Sequence, residues 1–147
     1  MSKLKSLNFL VKFSKEKKMS GKKIVLCHGV FDFPHLGHIK HFKAAKKFGD
    51  YLIISLTEDK HVNKGINRPI YNEDQRIEFL SEFSAIDYIH IDRNLNATKI
   101  ISKLKPNIYA KGQDYEFSKK NFKLGIHQRD LTGNIFKEKA AVEKIGG

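Results

Sequence analysis

Between Lys22 and Ala110 the chain alternates short apolar runs with longer stretches whose apolar residues recur at helical spacing. Lys23–Cys27 is apolar and β-branched, as a buried parallel strand requires. Leu36–Lys47 places Ile39, Phe42 and Ala45 on one helical face, and Gly49 suits the stop. Tyr51–Leu56 predicts a second strand, followed by a polar, basic loop over Thr57–Tyr71. Asn72, with Gln75 three residues on, predicts a capping box for a helix continued by Ile77, Phe79 and Leu80. Asp87–Ile91 predicts a third strand and Ala97–Leu104 a helix whose exit Pro106 fixes. Asn107–Ala110 predicts a fourth strand. This alternation predicts an α/β domain: an open parallel sheet with right-handed crossovers and ligands at the carboxyl ends of the strands. Gly29, Asp32 and Lys111-Gly112 all follow predicted strands and so fall on that edge.

The two ends read differently. Residues 1–21 form a basic N-terminal extension in which Leu4, Leu7, Leu10 and Val11 stand at roughly helical spacing. It is either an amphipathic helix packed on the domain or a mobile arm, with a boundary at Met19-Ser20-Gly21. Residues 22–147 form the main domain. Phe136–Ile145 predicts a helix capped by Gly146-Gly147, and no strand follows it. The expectation is a domain truncated before its last strand or before a second domain, or a homodimer whose second chain covers the open flank.

The chemistry gathers where the first strand ends, in His28-Gly29-Val30-Phe31-Asp32-Phe33-Pro34-His35-Leu36-Gly37-His38. A glycine-containing turn leads into a helix starting at about His35. His35 and His38, three residues apart, share a face of its first turn. The free N–H groups of that turn and the positive end of the helix dipole make an anion site. Gly37 leaves room for close approach to the backbone. Imidazole donors and bare amides facing one point suit a triphosphate. Alone, an H-x-x-H pair reads as surface imidazoles or half of a metal site. The turn ahead of it favours phosphate, and no third ligand stands at a zinc-like spacing.

Gly-x-Phe-Asp-x-x-His-x-Gly-His after a first strand resembles the cytidylyltransferase branch of the HxGH nucleotidyltransferase superfamily. Asn67–Arg76, Ile86–Ile89 and Lys105–Asp114 extend the resemblance over Lys22 to about Tyr115. The last segment is more similar to the nucleotidyltransferase half of ADP-heptose synthases than to glycerol-3-phosphate cytidylyltransferases. The resemblance implies an open Rossmann-like parallel sheet flanked by helices. It also implies transfer of CMP or AMP from CTP or ATP to a phosphorylated sugar or polyol, with release of pyrophosphate and with Mg2+ accompanying the triphosphate. His35, His38 and Lys64 are then the catalytic candidates. Gly29, Val30, Phe31, Gly37, Arg76, Lys111, Gly112 and Asp114 join the two histidines around the nucleotide, and Asp32 and Arg68 face the acceptor. No residue is assigned as a protein ligand to a metal. Some relatives carry a fused ribokinase-like sugar kinase domain. Relatives also carry a Ser/Thr-rich phosphate motif after a fifth strand, which has no counterpart here.

Each candidate has a plainer reading. Arg76 sits in the first turn of a helix, a poor place for a cation unless an anion lies nearby; the alternative is a solvated arginine paired with Glu73. Asp32 orients the turn or touches the acceptor. His28 lines the nucleotide pocket or is a packed histidine. Lys64 is one lysine among many, and Lys111–Asp114 can be a plain turn. Asp59 and Asp87 read as structural, and Arg129 as part of a connecting loop.

Composition narrows the partners. The net charge of +12, from 28 Lys+Arg against 16 Asp+Glu, suits polyanions, but the excess is lysine spread along all 147 residues. Nucleic-acid binding would want basic clusters interleaved with exposed aromatics; here the aromatics fall mostly on apolar faces, so nucleic acid is not the expected partner. The single cysteine, Cys27, excludes an internal disulfide and fits a reducing compartment. No apolar run approaches a membrane span, and the N-terminus lacks a signal-type segment. A cytoplasmic enzyme acting on a nucleoside triphosphate and a phosphorylated small molecule, away from membranes, is the expectation.

Overall fold

The computed structural model describes residues 2–32, 36–62, 69–110 and 141–144. Four strands, β1 (Ile24–Gly29), β2 (Tyr51–Thr57), β3 (Tyr88–Asp92) and β4 (Ile108–Ala110), form one sheet in the order β3-β2-β1-β4. Every pairing is parallel, as the near-continuous apolar runs require. The helices are α1 (Leu7–Met19), α2 (Leu36–Lys46), α3 (Glu73–Ser81) and α4 (Thr98–Leu104). Residues 141–144 are also helical.

Two apolar layers cover the sheet. Phe42 and Ala45 of α2 and Leu80 of α3 pack on Val25, Cys27, Ile54 and Leu56. Leu10 of α1 and Ile100, Ile101 and Leu104 of α4 pack on Ile24, Leu26 and Ile53 from the opposite face. Strand order reverses between β1 and β4, because the β1–β2–β3 crossovers run one way and the β3–β4 crossover the other. In open parallel sheets ligands bind at such a reversal, outside the carboxyl ends of the strands; here it falls at β1 and β4.

Residues 2–21 share this core. Ser6 caps α1 by accepting from the Phe9 N–H at 3.1 Å. Leu10 is fully buried, and Ser14, also buried, donates to the Leu104 carbonyl at 3.0 Å. Phe13 meets Tyr51 and Tyr88 edge-on, each at 4.9 Å. Ahead of the helix, Lys5 N–H donates to Ile89 O (2.8 Å) and Ile89 N–H to Lys3 O (2.9 Å), covering the outer edge of β3. Of the two readings of this segment, the packed helix is the one observed.

Several expectations shift in detail. Gly29 is the last residue of β1 rather than the residue after it, because parallel pairing continues to Gly29 opposite Leu56. Thr57 closes β2, and the expected loop holds a 3-10 turn over Asp59–His61. The Asn72–Gln75 capping box is present in both directions, at 2.9 and 3.0 Å. Gly49 is required by close approach: a Cβ there would lie 2.7 Å from Val25 Cγ2 and 2.9 Å from Lys23 O. Helix α4 ends on Lys105 at φ 52°, a left-handed cap just before Pro106. Phe79, one of the residues that continue α3, is 46% exposed. Of the predicted helix over Phe136–Ile145, only residues 141–144 are described, and they are helical.

Candidate active site

The turn after β1 is built around one ring. Phe31 adopts φ 51°, in the left-handed region that costs a bulky residue energy. This folds its ring back over Gly29, where a Cβ would lie 2.8 Å from Phe31 Cζ. A side chain at Gly29 would have to displace the Phe31 ring from this position, and Phe31 carries the backbone strain. The ring packs edge-on against Phe42 at 5.2 Å and against the His38 imidazole at 5.8 Å. His38 is thereby held half-buried beside the turn.

Two charged side chains lock the turn in place. Asp32 is buried, and its carboxylate accepts from Ile70 N–H (2.8 Å) and Tyr71 N–H (2.9 Å), tying the turn to the entry of α3. Arg76, 1% exposed, donates from Nη1 to Val30 O and Thr57 O, both at 2.8 Å, and from Nη2 to Asp59 at 2.6 Å. One guanidinium thus joins the turn after β1 to the last residue of β2 and to the 3-10 turn. The solvated pairing with Glu73 is not what forms; burial behind the turn gives Arg76 carbonyl partners, and Glu73 pairs instead with Arg93 at 3.2 Å. The anion beside Arg76 among the described residues is Asp59, in keeping with the structural reading of Asp59. Asp87 likewise accepts from Leu52 N–H at 2.7 Å and pairs with Lys46.

A second polar group sits at the same edge of the sheet. The His28 Nδ1 lies 2.8 Å from Ser55 Oγ and its Nε2 3.3 Å from Thr57 Oγ1; Ser55 in turn donates to buried Asp92 at 3.5 Å. His28 is thus a packed histidine with a hydrogen-bonded ring. Glu58, 3% exposed, accepts from Arg93 at 2.9 Å. Its second oxygen lies 3.1 Å from His61 Nε2 without the alignment of a hydrogen bond. The Arg93 hydrogen bond outweighs burial and holds the Glu58 carboxyl below the ordinary carboxylate value, while Arg93 is pushed up. The sequence reading missed Glu58 and Arg93. Their only signal was position, since Glu58 directly follows β2 and Arg93 directly follows β3.

The structure therefore brings together Gly29, Val30, Phe31, Asp32, His38 and Arg76. His35, Lys64, Arg68, Lys111, Gly112 and Asp114 lie outside the described residues, as does Arg129. Alongside the turn opens a cleft of about 470 Å3 lined by Phe31, Tyr71, Gln75, Arg76, Glu78, Phe79 and Glu82. Among the described residues, no helix is long and apolar enough to cross a membrane.

Comparison with known proteins agrees with this geometry. The family model described as cytidylyltransferase-like matches residues 26–145. The bifunctional protein HldE of Geobacter metallireducens is 38% identical over 116 residues, which are 78% of this chain and 24% of that protein. HldE of Aliarcobacter butzleri is 41% identical over 98 residues, 65% of this chain and 21% of that protein. The chain spans less than a quarter of the length of these curated relatives. The crystal structure of the lipopolysaccharide core biosynthesis protein from Thermoplasma volcanium superposes with a TM-score of 0.55 at 33% identity, over 71% of this chain and 90% of that one. A glycine-phenylalanine turn locked ahead of an H-x-G-H helix, on a parallel sheet of this order and with a family match over most of its length, places the chain in the cytidylyltransferase-like family of nucleotidyltransferases.

Proposed function

We propose that the chain transfers a nucleoside monophosphate from ATP or CTP to a phosphorylated sugar or polyol and releases pyrophosphate. The observation that carries this reading is the double lock on the Gly29–Asp32 turn by Asp32 and Arg76, directly ahead of the helix that bears His38. Nucleotidyl transfer needs positioned donors more than covalent chemistry. A turn fixed at the carboxyl end of β1, beside the strand-order reversal, supplies a seat for phosphates. The acceptor phosphate oxygen attacks the α-phosphorus, and the bond to the pyrophosphate oxygen breaks. His38, steadied by Phe31 and Phe42, donates to the phosphoryl oxygens as charge grows there. His35 shares this role, and Lys64 neutralises the triphosphate or the acceptor phosphate. Lys111, Gly112 and Asp114 flank the nucleotide, and Arg68 the acceptor. Magnesium enters as part of the substrate, bound to the triphosphate. The Thermoplasma protein is described as serving lipopolysaccharide core biosynthesis, and a phosphorylated sugar acceptor is consistent with that likeness.

The test is pyrophosphate release with ATP, CTP, GTP and UTP, each against a panel of phosphorylated sugars and polyols. One nucleotide–acceptor pair is expected to release pyrophosphate with the native chain. His38→Ala is expected to lower its turnover by about two to three orders of magnitude, the cost of one such donor, with stability little changed. Near-native turnover in that variant would remove His38 from the chemistry.

A further inference from the structure

Charge that is scattered along the sequence is gathered by the fold. Residues 2–23, which carry α1, and residues 97–107, which carry α4, hold eleven lysines against a single acid, Glu16. Residues 24–96, which supply β1, β2, β3, α2 and α3, hold nine lysines and arginines against ten aspartates and glutamates. Most of the +12 excess therefore belongs to one of the two helical layers. Helices α1 and α4 lie on the same face of the sheet, and Lys12, Lys15, Lys22, Lys23, Lys99 and Lys103 are exposed on or beside them. None of these six forms an ion pair among the described residues. Where the two helices meet, Lys18 Nζ donates to the Lys105 carbonyl at 2.7 Å. Burial and the neighbouring Lys105 charge hold Lys18 below the ordinary lysine value. Positive charge is crowded on this layer, and the fold does not neutralise it.

The kind of charge selects the partner. These two segments contain no arginine, the residue that anchors protein interfaces and reads phosphates and base edges through paired hydrogen bonds. Lysine, by contrast, is depleted from protein–protein interfaces. The α1 aromatics make no stacking platform for bases. Phe13 meets Tyr51 and Tyr88 edge-on, and Phe9 meets Tyr88 with Lys5 Nζ 4.9 Å over its ring. A layer of hydrated point charges suits a diffuse negative surface instead. Met19, 81% exposed at the end of α1 and flanked by lysines, adds an apolar tip at headgroup depth. We infer that the outer side of the α1–α4 layer docks on the surface of an anionic lipid bilayer. The contact is peripheral: no described helix is long and apolar enough to cross a membrane, and the apolar side of α1, with Leu7, Leu10 and Phe13, lies in the core. Docking leaves the Gly29–Asp32 turn open, since Asp32 and Arg76 tie it to α3 in the opposite layer. Lysines spread along the sequence imply no such surface; it arises because α1 and α4 pack side by side.

Co-sedimentation of the full chain with vesicles of phosphatidylcholine alone, and of phosphatidylcholine with phosphatidylglycerol, tests this independently of any catalytic activity. The native chain is expected to bind only the anionic vesicles, with an affinity that falls by about tenfold or more at high salt. Lys12→Glu with Lys15→Glu and Lys103→Glu is expected to weaken binding by about a hundredfold or more, and Lys12→Gln with Lys15→Gln and Lys103→Gln by about tenfold. Lys40→Glu with Lys43→Glu and Lys47→Glu removes the same net charge from the opposite layer and is expected to change binding by less than about threefold. Circular dichroism confirms that each variant is folded, and the glutamine variant carries the test if the glutamates disturb α1. A native chain that ignores anionic vesicles overturns the inference. So does an equal loss from reversals in either layer, which would make net charge alone responsible. Tighter binding to a duplex oligonucleotide than to the vesicles, lost in the Lys12, Lys15 and Lys103 variants, also overturns it and assigns the face to nucleic acid.

Discussion

The two helical layers of this protein are held by different physics. On the α1–α4 side the contacts are apolar and aromatic: Leu10 is fully buried, and Phe13 sits against the edges of Tyr51 and Tyr88. The polar exception there, Ser14, bonds a carbonyl and stays silent. On the α2–α3 side a comparable apolar floor carries buried charge, with Arg76 and Asp32 bonded to backbone at the carboxyl edge. Apolar burial is non-directional and tolerates adjustment. Charge-assisted hydrogen bonds are directional and costly to leave unmade. One layer therefore maintains the fold, and the other fixes the position of a particular turn.

Substitutions in the two layers separate these roles. Arg76→Met should have the largest effect, destabilising by about 3–5 kcal/mol because it removes a buried guanidinium and leaves the Val30 and Thr57 carbonyls without their donor. Urea denaturation measures the loss, and nucleotide binding should fall with it. Leu10→Ala should cost about 2–5 kcal/mol through the cavity it leaves. Its nucleotide affinity, measured by calorimetry well below the unfolding transition, should match the native value. An affinity lost along with stability would mean that the α1 side also positions the turn. Asp32→Ala should cost about 1–3 kcal/mol, for two N–H groups left unpaired, and should weaken nucleotide binding more than Leu10→Ala despite the smaller loss of stability.

The smallest effect belongs to Glu58 and depends on pH. Its folded-state value lies below the ordinary 4.5, chiefly through the Arg93 hydrogen bond. The ionised form therefore contributes stability above 4.5, and this contribution is lost as pH falls through the folded value. Glu58→Gln should melt below the native chain at neutral pH, and the two melting temperatures should converge in acid. A constant gap across the titration would mean that shape rather than charge sets the contribution of Glu58.

Much of this architecture was legible from residue order. The runs Ile24–Cys27 and Tyr51–Leu56 announce buried parallel strands because both faces of such strands must be apolar. Asn72 and Gln75 announce a helix start because a capping box is local chemistry, complete within four residues. Gly29 and Phe31 were readable as a pair from the motif, but their reason was not: the ring occupies the space a Cβ would need. Arg76 left two readings open, a nucleotide contact and a solvated ion pair, and the second does not form. Its neighbour along the helix, Glu73, looked like its partner, whereas its actual partners lie 17, 19 and 46 residues away. Periodicity carried the helix through Phe79 without saying which way its ring faces; Leu80 and Ile77 packing on the sheet set the rotation of the helix.

The order of apolar and polar residues, with a few glycines and caps, was enough to determine strands, helices, their parallel arrangement and the edge where chemistry gathers. These follow from backbone propensity and from burial with a fixed period, both of which act over a few residues. Which charged groups are buried, and what they hold, was settled by packing. Arg76 joins the turn after β1 to the end of β2 and the 3-10 turn beyond it, Asp32 reaches the entry of α3, and Glu58 meets Arg93 from the next strand, because parallel crossovers bring distant strand ends to one edge. A buried charge is tolerated only where partners from elsewhere in the chain complete its bonds, so its role cannot be read from its neighbours in sequence.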